Sequence, residues 1–314
     1  MTHPLARRIL RGDVRAAARL MRDLDDGILP AAAALRELHA RAGRAHVIGI
    51  TGPPGSGKST LADALVEAAR RKKLSVGVVA VDPTSPISGG AVLGDRIRMQ
   101  RHAADKKVFI RSLATRGSLG GLSRAVFDTV TVLDAMGKDV IFIETAGVGQ
   151  DGVKVAGAAH TVLVVMAPGM GDDIQALKAG VLEIGDIYVV NKCEREDCER
   201  LVRDLRSALG SRKSQDGWER PVLKTDAVSG RGVPEVAALI ARHRQFLSRG
   251  AAWERRSQAM AKTAFMELLE AGIRERVGEK LAHEKACRRL LEDLASRRTD
   301  PYSAARRALK EMFG

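Results

Sequence analysis

The residues that say most about chemistry lie at positions 52 to 60: Gly52, Pro53, Pro54, Gly55, Ser56, Gly57, Lys58, Ser59 and Thr60. Their spacing is G-x-x-x-x-G-K-[ST]. Glycines at these places let backbone N–H groups turn inward around an anion, a path that side chains would block. The lysine brings a cation to the β- and γ-phosphates of a nucleoside triphosphate, and the Ser59 hydroxyl is a hard oxygen for Mg²⁺. A chance glycine turn would need no particular neighbours. Here the apolar run Val47–Ile50 precedes the loop as a buried strand, and a helical stretch follows to Arg71. That helix presents its positive N-terminus to the same anion. The chain reads as a P-loop nucleoside-triphosphatase.

Such chemistry needs a second acid. Val140–Ile143 is an apolar run that ends in Glu144 and is followed by Thr145, Ala146 and Gly147. In a P-loop sheet an acidic side chain there supports Mg²⁺, and the glycine N–H senses the γ-phosphate. A glutamate capping the next element is the plain structural alternative. Asp82 closes another run, at 78–81, where Pro83 stops the strand. Asp95 stands in Gly94-Asp95-Arg96. Both carboxylates suit the metal shell, directly or through water. Alone, Asp95 and Arg96 would read as a surface ion pair.

The base has its own signal. After the run Ile187–Val190 come Asn191, Lys192, Cys193 and Glu194. In the pattern N-K-x-D the carboxylate accepts the guanine N1–H and exocyclic amine together. Glu194 is longer by one methylene and makes the same two-point contact only if the loop shifts. Thr225, Asp226 and Ala227 resemble a small-residue loop that offers a backbone N–H to guanine O6. The expected ligands are GTP or GDP and Mg²⁺.

Three sections position these groups. The first section is residues 1–44, of which 5–44 predict two helices, broken at Gly27 and Pro30. Residues 45–248 alternate Val/Ile runs with helical patterns: 46–51, 76–81, 108–110, 140–143, 162–166, 187–190 and 222–223. Continuous apolar runs separated by helices predict an α/β fold, a mostly parallel sheet covered by helices on both faces. Residues 249–314 read as helices, with Met260, Leu268, Leu269, Ile273 and Val277 on one face of the first. The fold expected is thus a nucleotide-binding core with N-terminal and C-terminal helical extensions.

The formal charge of +14 does not point to nucleic acid. The basic excess is +4 in residues 1–44, +5 in 45–248 and +5 in 249–314, so no one stripe carries it. Aromatic residues make up only 3%, too few for a base-stacking platform. Cys193, Cys198 and Cys287 form no CxxC pair and no Cys/His ligand spacing, which predicts free thiols in a reducing compartment. No N-terminal leader and no long apolar stretch is seen, so the expected place is the cytoplasm, without membrane contact.

Several longer segments resemble one family. They are Val79–Pro86, Ser88–Arg96, Ala114–Gly121, Glu144–Gln150 and Gly169–Asp173, with flanking matches from Gly12–Ala16 to Asp300–Tyr302. Together they are similar to the MeaB/MMAA/ArgK group of P-loop GTPases. The resemblance implies a GTP-driven chaperone of adenosylcobalamin-dependent acyl-CoA mutases, methylmalonyl-CoA mutase above all. It implies a homodimer held through the C-terminal helices, phosphate binding by Gly52–Thr60, and Ser59, Asp82, Asp95 and Glu144 around Mg²⁺. Gly169–Lys178 would be an added switch that meets the partner, with Lys178 counted among the catalytic groups. The chain departs from the family pattern at Glu194, at Asp151-Gly152 in place of Ser-Glu, and at Lys178-Ala179 in place of two lysines.

Two other readings stay open at this point. A nickel-delivery metallochaperone GTPase should carry a Cys/His cluster, and no histidine pairs with a cysteine at ligand spacing. A small-molecule kinase should carry an acceptor pocket with a base for its hydroxyl. Val148, directly after Gly147, cannot hydrogen-bond an attacking water, and Gln150 lies two residues further on. Hydrolysis is therefore expected to be slow alone and faster with a partner.

Overall fold

A computed structural model of the chain describes residues 3–82, 99–114, 124–145, 154–169, 180–210, 213–283 and 285–313. By packing these fall into two units, residues 1–263 and 264–314.

The first unit is built on a seven-stranded sheet. Its strands are β1 (His46–Thr51), β2 (Val76–Asp82), β3 (Val108–Ala114), β4 (Val140–Thr145), β5 (Thr161–Met166), β6 (Ile187–Val190) and β7 (Val222–Lys224). Their order is β3-β2-β4-β1-β5-β6-β7, and every pairing is parallel. The central strands are buried along their whole length, as a sheet covered on both faces requires. The α/β expectation holds, with strand ends one or two residues beyond four of the apolar runs and four residues beyond the run at 108–110. At one of these ends Thr145 Oγ1 donates to the Ile50 carbonyl.

Helices α4 (Lys58–Arg71) and α8 (Val233–Ser248) pack on one face, where Leu61, Leu65, Val236 and Ile240 meet Ile48, Val78 and Leu163. The other face carries α5 (Arg124–Ala135), the one-turn α6 (Val181–Ile184) and α7 (Cys198–Leu209). Outside α5 lie α1 (Pro4–Leu10), α2 (Val14–Asp25) and α3 (Leu29–His39), whose Ile9, Leu20, Met21 and Leu38 join that core. Two helices were expected here and three form. Gly12 adopts φ +83°, and the Asp13 carboxylate caps the new helix by accepting the Ala16 N–H at 3.0 Å. Arg111 of edge strand β3 pairs with Asp25, tying α2 to the sheet.

At the amino ends of the strands lies a buried polar network. The Thr161 hydroxyl bridges His46 Nε2 (2.7 Å) and His243 Nδ1 (2.8 Å). His160 Nδ1 accepts the Val47 N–H, and its ring stacks on Trp253 with centroids 4.0 Å apart. Arg256 grips both oxygens of Asp186 at 2.7 and 2.8 Å, and Asp216 at 2.7 Å. Asp186 leads directly into β6 and also accepts the Val162 N–H. Burial drives the three histidines neutral: His46 falls well below its usual range, His160 to about 3 and His243 to about 4.

Helix α9 (Ala252–His283) supplies Trp253 and Arg256 from its first turns and continues into the second unit. Within that unit α10 (Lys285–Ala295) and α11 (Pro301–Phe313) pack together. No helix among the described residues is long and apolar enough to cross a membrane.

Candidate nucleotide site

Strand β1 delivers the chain into the loop at residues 52–57, and α4 starts at Lys58. The sequence demands glycine twice here for reasons the packing makes concrete. A Cβ on Gly52 would stand 1.9 Å from the Val165 carbonyl oxygen, at φ +144°. One on Gly57, at φ +88°, would meet Asn191 Nδ2 at 2.3 Å. Pro54 and Gly55 are exposed at the tip, Thr60 is half-buried, and Pro53, Ser56, Lys58 and Ser59 are buried. Lys58 Nζ donates to the carbonyls of Gly52 and Pro53, each at 3.0 Å, so its ammonium is held above the loop. Ser56 Oγ is buried with no hydrogen-bond partner, an orphan that a phosphate oxygen would satisfy.

The acids converge at the same edge. Ser59 Oγ donates to Glu144 Oε1 at 2.5 Å, across 85 residues of sequence. Ala80 of β2 is the register partner of Glu144, so Asp82, two residues on, stands on the same face beyond it. Asp82 and Glu144 are 5% and 3% exposed, and two buried carboxylates at one sheet edge suit a cation beside them. Among the described residues no group of three His, Cys, Asp or Glu could hold a metal unaided. A serine hydroxyl with one or two carboxylates nevertheless fits Mg²⁺, which keeps waters and takes phosphate oxygens to complete its shell.

The base loop is stapled to the phosphate loop. Asn191 Nδ2 donates to the Ser56 carbonyl at 3.0 Å, while its Oδ1 accepts from Thr225 Oγ1 (3.1 Å) and the Ala227 N–H (3.0 Å). In the loop expected to offer a backbone N–H to guanine O6, the Ala227 N–H is thus engaged by Asn191. Lys192 sits at φ +59° with its stem beside Gly57. Glu194 is exposed. The Asp226 carboxylate turns back on its own loop, taking Ser229 Oγ, the Val228 N–H and Arg231. The Ser229 hydrogen bond is the main reason its carboxyl titrates below the usual range. Asp95, Gly147 and Lys178 lie outside the described residues, as do Val148 and Gln150.

A family model described as "Methylmalonyl Co-A mutase-associated GTPase MeaB" matches residues 24–282. The chain belongs to the MeaB family. It is a GTPase. A Pyrococcus horikoshii protein named "Putative GTPase" is 43% identical over 313 residues, covering 99% of this chain and 98% of its own. The Escherichia coli "GTPase ArgK" is 38% identical over 60% of this chain and 58% of its own. A Caenorhabditis elegans relative, "Methylmalonic aciduria type A homolog, mitochondrial", is 31% identical over 89% of this chain and 72% of its own. A crystal structure of a LAO/AO transport system kinase shares the fold, with TM-score 0.72 at 23% identity over 99% of this chain and 97% of that one.

In this MeaB-family chain one expectation is corrected. Cys193 and Cys198 are joined by a disulfide, with Cα atoms 5.1 Å apart. Four residues lie between them, a spacing outside CxxC, but the chain turns from the base loop into α7 there and brings the sulfurs together. Cys287 is buried in the second unit. Sequence reading also missed the staple made by Asn191 and Thr225 and the Arg256 node. Each depends on partners 34 to 135 residues away, and no local pattern announces them.

Proposed function

We propose that this GTPase is a chaperone of an adenosylcobalamin-dependent acyl-CoA mutase, with methylmalonyl-CoA mutase the first candidate. It would bind the mutase as a homodimer and use GTP hydrolysis to gate cofactor delivery and to protect the mutase from inactivation. The observation that carries this is the match of residues 24–282, which contain the whole nucleotide site, to a family described by its association with that mutase. The naming of the Caenorhabditis elegans relative for methylmalonic aciduria supports the same reading.

The chain's own groups divide the work. The N–H groups of residues 55–59 wrap the phosphates, and Lys58 leaves the Gly52 and Pro53 carbonyls to reach the γ-phosphate. Ser59, Glu144 and Asp82 would hold Mg²⁺, with Asp95 added from the neighbouring segment. The ion supplies neutralisation of the charge that develops on the transferred phosphoryl group. Asn191 keeps the base loop in register with the phosphate loop, and Glu194 would accept from guanine. Val148 cannot orient the attacking water; Gln150 would do so only along a different loop path, and a partner would act by moving Arg96, Arg98 or Lys178 onto the γ-phosphate.

Within the second unit Phe265, Met266, Leu268, Leu269 and Ile273 are 41–60% exposed on α9, an apolar face that a second copy would cover. Full-length protein with Phe265→Glu and Leu269→Glu together is expected to run as a monomer in light scattering where the parent runs as a dimer. Unchanged dimer mass would move the interface elsewhere.

The partner is tested by co-purification with candidate cobalamin-dependent mutases in GDP or a non-hydrolysable GTP analogue. A mutase retained more strongly in one nucleotide state is expected. Retention of none, in either state, contradicts the proposal.

A further inference from the structure

The disulfide closes a ring around the very residue that reads the base. Between Cys193 and Cys198 lie Glu194, Arg195, Glu196 and Asp197, all exposed. Both ends of the ring are anchored. The Cys193 N–H donates to the Thr225 carbonyl at 3.1 Å, fixing it between the two base loops. Cys198 is 4% exposed and packs in the core at the first residue of α7, beside Leu201 and Val202. Inside the ring, the Arg195 N–H reaches the Lys192 carbonyl and the Cys198 N–H reaches the Arg195 carbonyl, so the turn is short.

We propose that Cys193 and Cys198 form a reversible thiol–disulfide site that controls how far the Glu194 loop can draw back, and hence how tightly guanine is held. This rests on Glu194 as the acceptor for the guanine N1–H and amine. A glutamate carries one methylene more than the aspartate of N-K-x-D, so its backbone must recede from the base for both carboxylate oxygens to reach. With the ring closed, residues 194–197 are tied at two core-anchored ends and cannot recede. With the ring open, the sulfur–sulfur tie is gone, and the segment is held by its backbone hydrogen bonds and by the packing of its two ends.

The step balances with a small-molecule disulfide as oxidant. Cys193 is half-buried and the more accessible sulfur, so its thiolate attacks one sulfur of the oxidant and expels the first small thiolate. The Cys198 thiolate then attacks the Cys193 sulfur of the mixed disulfide and expels the second. The two protons lost by the cysteines end on the two released thiols. Two protein thiols are oxidised by two electrons, and one external disulfide is reduced to two thiols. Excess dithiol reverses the sequence.

The test is calorimetric titration of GDP and ADP into the full-length protein, equilibrated with dithiothreitol or with oxidised glutathione. Alkylation and mass spectrometry of the peptides bearing Cys193 and Cys198 report the bond. GDP should bind about two- to tenfold more tightly to the reduced form, the size of one hydrogen bond gained, while ADP binds both forms alike. Cys198→Ser should hold the reduced-form affinity in either condition. Glu194→Asp, whose shorter acid needs no recession, should lose the difference between forms. Equal GDP affinity with the bond verified open and closed overturns the proposal, as does a bond that never forms in excess oxidised glutathione. In those cases a preserved preference for GDP over ADP leaves Glu194 as the base reader; no preference in any state overturns both.

Discussion

At the carboxyl ends of β1, β2 and β4, Lys58, Ser59, Asp82 and Glu144 are buried, each 3–7% exposed, beside Thr51, Ser56 and Thr145 at 0–1%. At the amino ends of β1, β5 and β6 they are His46, His160, Thr161 and Asp186, each 0–4% exposed, joined by His243 from α8. By burial alone the two ends are indistinguishable. They differ in what the polar groups face. At the amino end imidazole meets hydroxyl, and guanidinium meets two carboxylates, so the protein answers its own charges. At the carboxyl end the lysine, the serine and the two acids gather beside a glycine-bent loop of the kind that cradles phosphate. Convergence on a backbone cradle, more than burial or perturbed titration, separates a site from a structural network.

The comparison breaks if each end can be damaged without its own signature. The largest effect is expected from Asp186→Ala, which leaves Arg256 short of a partner and frees the Val162 N–H. Urea unfolding should show a loss of about 3–5 kcal/mol, while GDP affinity of the folded protein stays at the parent value. A large fall in GDP affinity with little loss of stability would make the amino end part of the site.

Glu144→Ala is the mirror experiment. Hydrolysis measured in single turnover should fall by about 10²–10³, while GDP binding and unfolding midpoint change little, because the phosphate loop supplies most ground-state affinity. Hydrolysis at the parent rate would remove Glu144 from the chemistry.

Acid sharpens the same contrast. His46, His160 and His243 have folded pKa values depressed below the unfolded value of about 6.5, so the unfolded chain binds the extra protons as pH falls. Their contribution is complete above that value and is lost as pH falls toward the folded values of about 3 for His160 and about 4 for His243. At pH 5 the loss is up to about 2 kcal/mol for each histidine. Thermal melts at pH 7 and pH 5 should show a drop that His243→Asn reduces. A melting temperature that rises on acidification would contradict the neutral network.

The contrast also explains what the sequence could reveal. Gly52–Thr60, Glu144 and Asp82 are legible because each is a local event, a strand running out into a turn or an acid. The parallel sheet is legible because Val/Ile runs persist through it. The Thr161 bridge is not, since its two imidazoles come from 115 residues before and 82 residues after it. Nor is the break at Gly12, where a cap at Asp13 overrides a continuous helical pattern. The Cys193–Cys198 bond was hidden by a spacing set by a turn, and turns do not advertise their closure.

The claim that most needs testing is that this GTPase works with a mutase. Single-turnover GTP hydrolysis, with and without a saturating adenosylcobalamin-dependent acyl-CoA mutase, tests it most directly. A slow basal rate that rises by one or more orders of magnitude on adding the mutase is expected, since positioning dominates phosphoryl transfer and Val148 cannot supply it. A basal turnover already near about 1 s⁻¹, unchanged by any mutase that demonstrably binds, would contradict the account.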